Sequence, residues 1–186
     1  MTLLFVRLML VAALGAAASP AAGEKKMERD GKAVPFDDSF ELRVPAGWTL
    51  ERRAGGAVLT GPEAEGVSVL ISVRHIRPDD VLYGTPEAYM KRLTKPSSIP
   101  IKGWKNGEVK KIGAAGRKAL DLERDTSEFV PPHAVDPKEV AVREEHLAVP
   151  ATKGFYLLVY TAPRSIDAAQ RPVFRRLVEK GFTPKL

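Results

Sequence analysis

The residues of this sequence best suited to chemistry are its histidines, which number three: His75, His133 and His146. Imidazole nitrogens and carboxylate oxygens are common metal ligands. A surface metal site is therefore one hypothesis, with Glu144, Asp136 or Asp125 as further ligands. No histidine has a partner at the spacing that places two imidazoles on one helix face. The fold would have to bring distant residues together to form such a site, and a metal-dependent enzyme or hydrolase using His133 and His146 is the alternative to a binding protein.

Other kinds of catalysis lack their usual sequence patterns. The chain has no cysteine and no Gly-x-Ser-x-Gly segment, so a thiol nucleophile, a Cys-ligated zinc and a serine elbow are excluded. Asp121 and Glu123 share one face if their segment is extended. Arg143 or Arg124 on a neighbouring strand would then pair with them. We therefore expect ion pairs between strands, no catalytic residue and no cofactor.

A first segment suited to binding a partner is KPSSIPIKGWKNG, residues 95–107. Trp104 lies there between Lys102 and Lys105. An indole combines a large apolar body with a polar tip, and flanking cations favour acidic partners. An anionic surface, a glycan or an envelope protein would suit such a site. The alternative is that Trp104 covers an edge of a sheet.

A second candidate segment is EFVPPHAVDPKE, residues 128–139. Phe129 and His133 flank the stiff Pro131-Pro132 pair, and a stiff segment presents a surface at low cost in conformational entropy. The alternative is the tip of a hairpin, with Phe129 folded back onto the sheet.

The charge balance favours acidic partners weakly. The chain contains 29 Lys and Arg and 23 Asp and Glu, which gives a net charge of +6. These charges are well mixed along the sequence, and no nucleic-acid-binding motif accompanies them. We therefore predict that nucleic acid is not a partner.

The first residues predict export from the cytoplasm. Arg7 precedes an apolar run at residues 8–18, and small residues then lead to a charged stretch, which is the pattern of a signal peptide. The run is shorter than the roughly 20 residues of a membrane-spanning helix. We predict a signal peptide at residues 1–23, cleaved after residue 18 or 23, and a periplasmic or secreted protein without a transmembrane anchor. A flexible segment at 24–37 and a single domain at 38–186 would follow.

Hydrophobic periodicity predicts mainly strands in this domain. Residues 67–76 alternate apolar and polar side chains, as a half-buried strand does. Residues 107–125 and 139–162 each place turn residues between two strand-like runs and so predict hairpins. Gly47, Gly55 and Gly56 separate further short strands. No helix follows these glycines, so they are not a phosphate-binding loop, and we expect Trp48 to lie in the core.

Two stretches have helical periodicity. Thr85 is suited to cap a short helix, with Pro86 in its first turn. A second helix is predicted from Pro172 to a stop at Gly181. Strand groups with separated helices predict an α+β fold, in which helices flank a central antiparallel sheet.

Several short motifs in this order resemble a known family. They are Val44-Pro45-Ala46-Gly47-Trp48, the segments 85–89 and 112–116, Gly-Phe-Tyr-x-Leu-x-Tyr-x-Ala-Pro at 154–163, and Pro-x-Phe at 172–174. The chain is similar to the PsbP-like superfamily, named for an extrinsic protein of photosystem II and including small bacterial secreted proteins. The resemblance implies an α/β/α sandwich and a binding or accessory role without established catalysis. Residues 127–137 read as an additional loop.

Overall fold

The computed structural model describes residues 32–80, 83–96 and 103–186. The predicted signal peptide and Lys102 lie outside these residues. The strands in chain order are β1 (Ala33–Phe36), β2 (Phe40–Arg43), β3 (Thr49–Arg53), β4 (Gly56–Ala64), β5 (Val67–Ile76), β6 (Lys105–Asn106), β7 (Lys110–Ala114), β8 (Arg117–Val130), β9 (Lys138–Pro150), β10 (Phe155–Pro163) and β11 (Phe182–Pro184). The helices are α1 (Pro86–Thr94) and α2 (Arg164–Arg176), and a π-helical turn (Leu177–Gly181) continues α2.

Eight strands form one antiparallel sheet in the order β3-β4-β5-β10-β9-β8-β6, with β7 also paired to β8. The predicted strand at 67–76 and both predicted hairpins are present. The alternation of apolar and polar side chains, together with the turn residues, was sufficient to locate these strands, because each long strand buries side chains on at least one face. Trp48 is 8% exposed and lies in the core, as expected.

The segment predicted as a loop at 128–139 is strand at both of its ends. β8 continues to Val130 and β9 begins at Lys138, with Phe129 opposite Glu139 in the ladder. Only residues 131–137 connect the two strands. Ladder hydrogen bonds between long strands therefore extend further than the polar sequence indicated.

A second sheet joins the two ends of the described chain. Its three strands have the order β1-β2-β11. β1 lies within residues 24–37, a segment that we predicted to be flexible. The folded part therefore begins no later than Ala33. Phe40 of this sheet packs on Tyr156 and on Phe182, at ring-centroid distances of 6.1 and 5.8 Å. Aromatic burial therefore fixes this sheet to the larger one.

The helices confirm one prediction and correct another. The Thr85 hydroxyl accepts a hydrogen bond from the Ala88 amide at 3.1 Å, as a cap of α1 does. Pro172 does not mark a first turn: α2 starts at Arg164, and Pro172 lies inside it. The misplacement arose because the first turns of α2 are largely polar and show little apolar periodicity.

Each helix packs on a different face of the larger sheet. Phe174 of α2 stacks on Tyr160, at 5.3 Å between ring centroids, and we call this side the α2 face. Tyr89 of α1 packs on Phe155, at 6.1 Å, on the side that we call the α1 face. The predicted α+β fold, mostly antiparallel sheet with two helices, is confirmed. No helix in the described part of the chain is long and apolar enough to cross a bilayer.

Candidate functional site

Trp104 and Lys105 lie on opposite faces of the sheet edge. Lys105 pairs with Asp125 in the β6–β8 ladder, and both line a cleft on the α2 face. Trp104 instead lies over the guanidinium of Arg124, with the Cζ atom 5.6 Å from the ring centroid. Consecutive residues of a strand face opposite sides, so the structure separates Lys105 from the indole.

The cation beside the indole is Arg124, and it is held on two sides. Its Nε donates to Asn106 Oδ1 at 2.9 Å, and its Nη1 lies 3.4 Å from Glu144 Oε2. Trp104 is 41% exposed, whereas the Arg124 side chain is 13% exposed. A guanidinium over an aromatic face is an attractive contact. The exposed indole is therefore supported by an ordered, mostly buried cation.

A hydrogen-bond chain runs from Glu144 into the protein on the α1 face. His146 Nε2 lies 3.0 Å from Glu144 Oε2, and His146 Nδ1 lies 2.7 Å from the Tyr89 hydroxyl. Thr126 Oγ1 donates to Glu144 Oε1 at 3.2 Å. An ionised carboxylate only accepts hydrogen bonds. His146 therefore donates from Nε2 to Glu144 and, when neutral, accepts the Tyr89 proton at Nδ1.

The pKa values of the two groups at the ends of this hydrogen-bond chain are shifted from their ordinary values in opposite directions. Burial alone would raise the pKa of Glu144, but the hydrogen bond and charge of His146, with Arg124 and Thr126, hold that pKa below its ordinary value. Burial raises the pKa of the Tyr89 phenol. A carboxylate therefore stands at the outer end and a neutral phenol at the inner end, and both Tyr89 and His146 are less than 10% exposed, at 6% and 7%.

Phe129 and His133 lie at the tip of the β8–β9 hairpin. Phe129 is 55% exposed, so the alternative in which it folds back onto the sheet is not observed. His133 is exposed and has a φ of +70°. The connection also presents Val135, whose side chain is fully exposed. The tip therefore places apolar side chains in solvent beside a histidine.

The three histidines are not brought together. His75 pairs with Tyr156 on the α2 face, and its Nε2 lies 2.7 Å from the Lys153 carbonyl oxygen. His146 lies on the α1 face, and His133 lies at the hairpin tip. One ion cannot bridge opposite faces of a sheet. In residues 32–80, 83–96 and 103–186, no group of three or more His, Asp or Glu residues is placed to hold a metal ion.

Ion pairs between strands occur where they were predicted on the α2 face. Arg143 Nη1 lies 2.9 Å from Glu123 Oε2, and Arg143 Nε lies 2.9 Å from Asp125 Oδ1. Glu123 also contacts Arg171 of α2, at 3.1 Å. The predicted pairing of Glu123 with Arg143 is thus present, while Arg124 pairs with Glu144 on the other face. These carboxylates therefore serve to connect strands and α2.

Two buried carboxylates share one guanidinium beneath α2. Arg175 Nη2 lies 2.9 Å from Glu145 Oε1 and 3.3 Å from Asp121 Oδ2. Glu145 is 0% exposed and Asp121 is 4% exposed. Burial, opposed by the charge of Arg175, raises the pKa of Glu145 to about 7. Burial likewise raises the pKa of Asp121. One cation is therefore insufficient to keep both groups at ordinary acidity.

Sequence reasoning missed the residues that come from a distant element. Tyr89 and His146 are 57 positions apart, and Arg175 and Asp121 are 54 apart. No motif connects either pair. The only available signal was local: Glu144 and Glu145 lie in a strand, so they had to face opposite sides and require different partners.

Comparisons with known proteins returned solved structures only: no protein-family model and no curated protein matches the chain. LpqN of Mycobacterium tuberculosis, involved in cell envelope biogenesis, has 16% identity and a TM-score of 0.48 over 77% of this chain and 82% of LpqN. A Pseudomonas aeruginosa protein of unknown function, a putative regulator, has 10% identity and a TM-score of 0.48 over 80% and 94% of the chains. The cyanobacterial PsbP (CyanoP) of Synechocystis has 14% identity and a TM-score of 0.48 over 92% and 98%.

A PsbP, from the superfamily that the sequence motifs resemble, is thus among the structures similar to this chain. Identities of 10–16% and TM-scores of 0.48 assign no ligand, partner or residue role to this chain. A fold hosts many functions, so function has to be argued from the residues described above.

Proposed function

We propose that this protein is a non-catalytic binding or accessory protein that acts in the periplasm or after secretion, built as a PsbP-like sandwich with one helix on each face. The observation that carries this proposal is where its apolar side chains are exposed. Among the described residues, the large exposed hydrophobic side chains are Trp104, Val109, Phe129 and Val135. All of them fall within residues 104–135, at one edge of the larger sheet. Grouped apolar exposure of this kind is typical of an interaction site.

We call Trp104, Phe129 and His133 the docking edge. Trp104 lies over Arg124 on the α1 face, and Phe129, five residues further along β8, points to the opposite face. At about 3.4 Å per residue, the two aromatic side chains are roughly 17 Å apart along the strand. An interface of standard size, about 800 Å² on each partner, spans that distance. A single partner that covers the edge of β8 can therefore contact both aromatic side chains, one on each face.

The partner that fits this edge best is an envelope protein with an acidic surface. The indole is backed by Arg124, and the chain as a whole carries a net charge of +6. Rigid aromatic anchors beside cations dominate many protein interfaces. A glycan or an anionic membrane surface would offer less apolar area to Phe129 and Val135, and these are the competing outcomes of the test below.

The test places a photoreactive phenylalanine analogue at Phe129 in the full chain and crosslinks it in living cells. We expect a protein adduct that is lost when Trp104→Ala is added, because a partner that covers the edge of β8 contacts both residues. The matched control carries the same analogue at Arg53, whose side chain is 62% exposed on β3 at the opposite edge of the sheet.

The control position should give no such adduct. Identical adducts from both positions would reject the docking edge, and so would an adduct at Phe129 that survives Trp104→Ala. A crosslink to glycan or lipid instead of protein would keep the site and replace the partner.

An enzyme is the alternative, and the Tyr89–His146–Glu144 chain is the observation that favours it. A histidine oriented by a carboxylate is a familiar base. Metal content and ester hydrolysis of the purified full chain, with His146→Gln beside it, decide between the two. Stoichiometric metal, or hydrolysis that disappears in His146→Gln, would support the enzyme. The low exposure of Tyr89 and His146 favours a supporting role, because substrate has little access to either ring.

A further inference from the structure

A charged cleft of about 590 Å³ lies on the α2 face, on the opposite side of β8 from the indole of Trp104. Its walls come from β6, β7, β8, β9, the β6–β7 connection and the first residue of α2. This volume is in the range of small-molecule sites. Its lining carries equal numbers of acidic and basic side chains, four of each. The cleft is thus balanced in charge.

Half of these eight charges are already paired with one another. Arg143 contacts Glu123 and Asp125, both at 2.9 Å. Arg164 lies 3.6 Å from Asp125. Such pairs rigidify the floor of the cleft and leave little charge for a ligand. The groups available to a ligand must therefore lie elsewhere on its wall.

Two lysines supply the available positive charge. Lys105 and Lys110 line the cleft from β6 and β7, and in the described ranges neither has an ion pair or a side-chain hydrogen bond. Lys110 is directly opposite Asp121 in the β7–β8 ladder. Ammonium groups on one wall suit a carboxylate or another small acidic group.

The carboxylate of Asp121 supplies the negative end. Asp121 lines the cleft and is 4% exposed. Its Oδ2 contacts Arg175, while its Oδ1 is buried without a hydrogen-bond donor among the described residues. A buried acceptor without a donor is costly. The raised pKa of Asp121, caused first by burial, is consistent with that missing donor.

We propose that this cleft binds a small zwitterion, a free amino acid or short peptide, whose ammonium pairs with the Asp121 carboxylate while its carboxylate pairs with Lys110 and Lys105. A simple anion would meet the carboxylates of Glu123 and Asp125, and a simple cation would meet the two lysines. A ligand with both charges matches both ends of the cleft. The proposal does not depend on Trp104, because the indole lies on the opposite face of β8 from the cleft.

The test titrates the isotope-labelled full chain with glycine, glutamate, lysine and the dipeptide alanyl-alanine, observed by NMR. The reporters are the amides of Gly107 and Glu123, since the Gly107 amide donates to the Glu123 carbonyl at 2.8 Å beside the cleft. We expect saturable shifts with at least one probe. N-acetylation or C-amidation of that probe should weaken binding by about tenfold or more, because each removes one charge-assisted contact.

Matched variants test the residue assignment. Lys110→Ala should weaken binding about tenfold, whereas Lys111→Ala, which removes the neighbouring lysine opposite Leu120 on the other face, should leave it unchanged. Asp121→Asn should abolish the preference for a free ammonium. The proposal is overturned if none of the probes shifts the two amides, if blocked and free probes bind equally, or if both lysine variants behave alike.

Discussion

Glu144 and Glu145 are adjacent in sequence and have opposite electrostatic surroundings. Glu144 accepts from His146 at 3.0 Å on the α1 face. Glu145 is buried under α2 with one guanidinium shared between it and Asp121. The alternation of a strand therefore gives neighbouring carboxyl groups a lowered pKa and a raised pKa.

Glu145→Gln should flatten the pH dependence of stability above pH 5. The folded pKa of Glu145 is raised from 4.5 to about 7, so the folded state binds the proton more tightly than the unfolded state. The free energy of unfolding contributed by this group is fully present below about 4.5 and falls as pH rises to about 7. Urea unfolding near pH 5 and near pH 8 measures the change, on the order of 2 kcal/mol in the native chain.

Glu144→Gln is the matched control for that experiment. The pKa of Glu144 is lowered, so its contribution is present above the unfolded pKa of about 4.5 and is lost only at lower pH. This variant should keep the native slope between about pH 5 and pH 8. Parallel slopes for Glu145→Gln and the native chain would contradict the buried, raised-pKa state of Glu145.

Gly61→Ala should destabilise the protein because it collides with the core. A Cβ at Gly61 would lie 2.6 Å from ring atoms of Trp48, and overpacking of this kind costs about 1–3 kcal/mol. Gly113→Ala is the matched control in another strand, since nothing lies within 4 Å of its added Cβ. Chemical unfolding compares the two variants. Equal unfolding midpoints for the two variants would show that the Trp48 indole moves aside without a loss of stability.

Among the secondary-structure elements, the predictable ones were the strands in which apolar and polar side chains alternate strongly. β5 and the two long hairpins each bury one or both faces, so apolar side chains recur at every second residue. The start of α2 was not predictable in this way. Its first turns carry charged side chains, with Asp167 bound to Arg171 of the following turn at 2.7 Å, and no clear apolar stripe. A helix stabilised by ion pairs and tertiary packing gives little hydrophobic signal.

Thr85→Ala should loosen α1 and the hydrogen-bond chain that it supports. The Thr85 hydroxyl accepts from the Ala88 amide, and loss of such a cap costs about 1 kcal/mol. Because Tyr89 lies in the first turns of α1, faster amide hydrogen exchange should appear in this helix. Hydrogen exchange followed by mass spectrometry measures the effect.

Thr85→Ser provides the control, since serine keeps the hydroxyl oxygen and caps helices well. Its exchange rates in α1 should match those of the native chain. If alanine and serine variants exchange alike, the cap does not hold the helix.

At the scale of the whole molecule, the sequence predicted the fold class better than the surface. The ion pairs between β8 and β9 could be predicted once Asp121 and Glu123 were taken to lie in an extended strand. Strands of one hairpin are close in sequence, so the partner residues were easy to identify. The face on which Trp104 lies depended on the register of β6, a strand of two residues, and nothing in residues 95–107 specifies that register. Contacts of α1 and α2 with the sheet required the three-dimensional packing.

Export is the prediction that concerns the entire chain. β1 and β11 lie on either side of β2 in one sheet, and the Lys185 amide donates to the Ser39 carbonyl oxygen at 2.9 Å, so both ends of the described chain are held by β2 and the turn before it. A leader removed before residue 32 breaks none of these contacts.

In a bacterium with two membranes, we expect the intact mass of the periplasmic protein to correspond to cleavage after residue 18 or 23. A variant that begins after residue 23 should remain in the cytoplasm and unfold at the same urea concentration as the exported protein. Uncleaved protein in the cytoplasm would reject export, and a lower midpoint for the shortened variant would show that residues before β1 stabilise the fold.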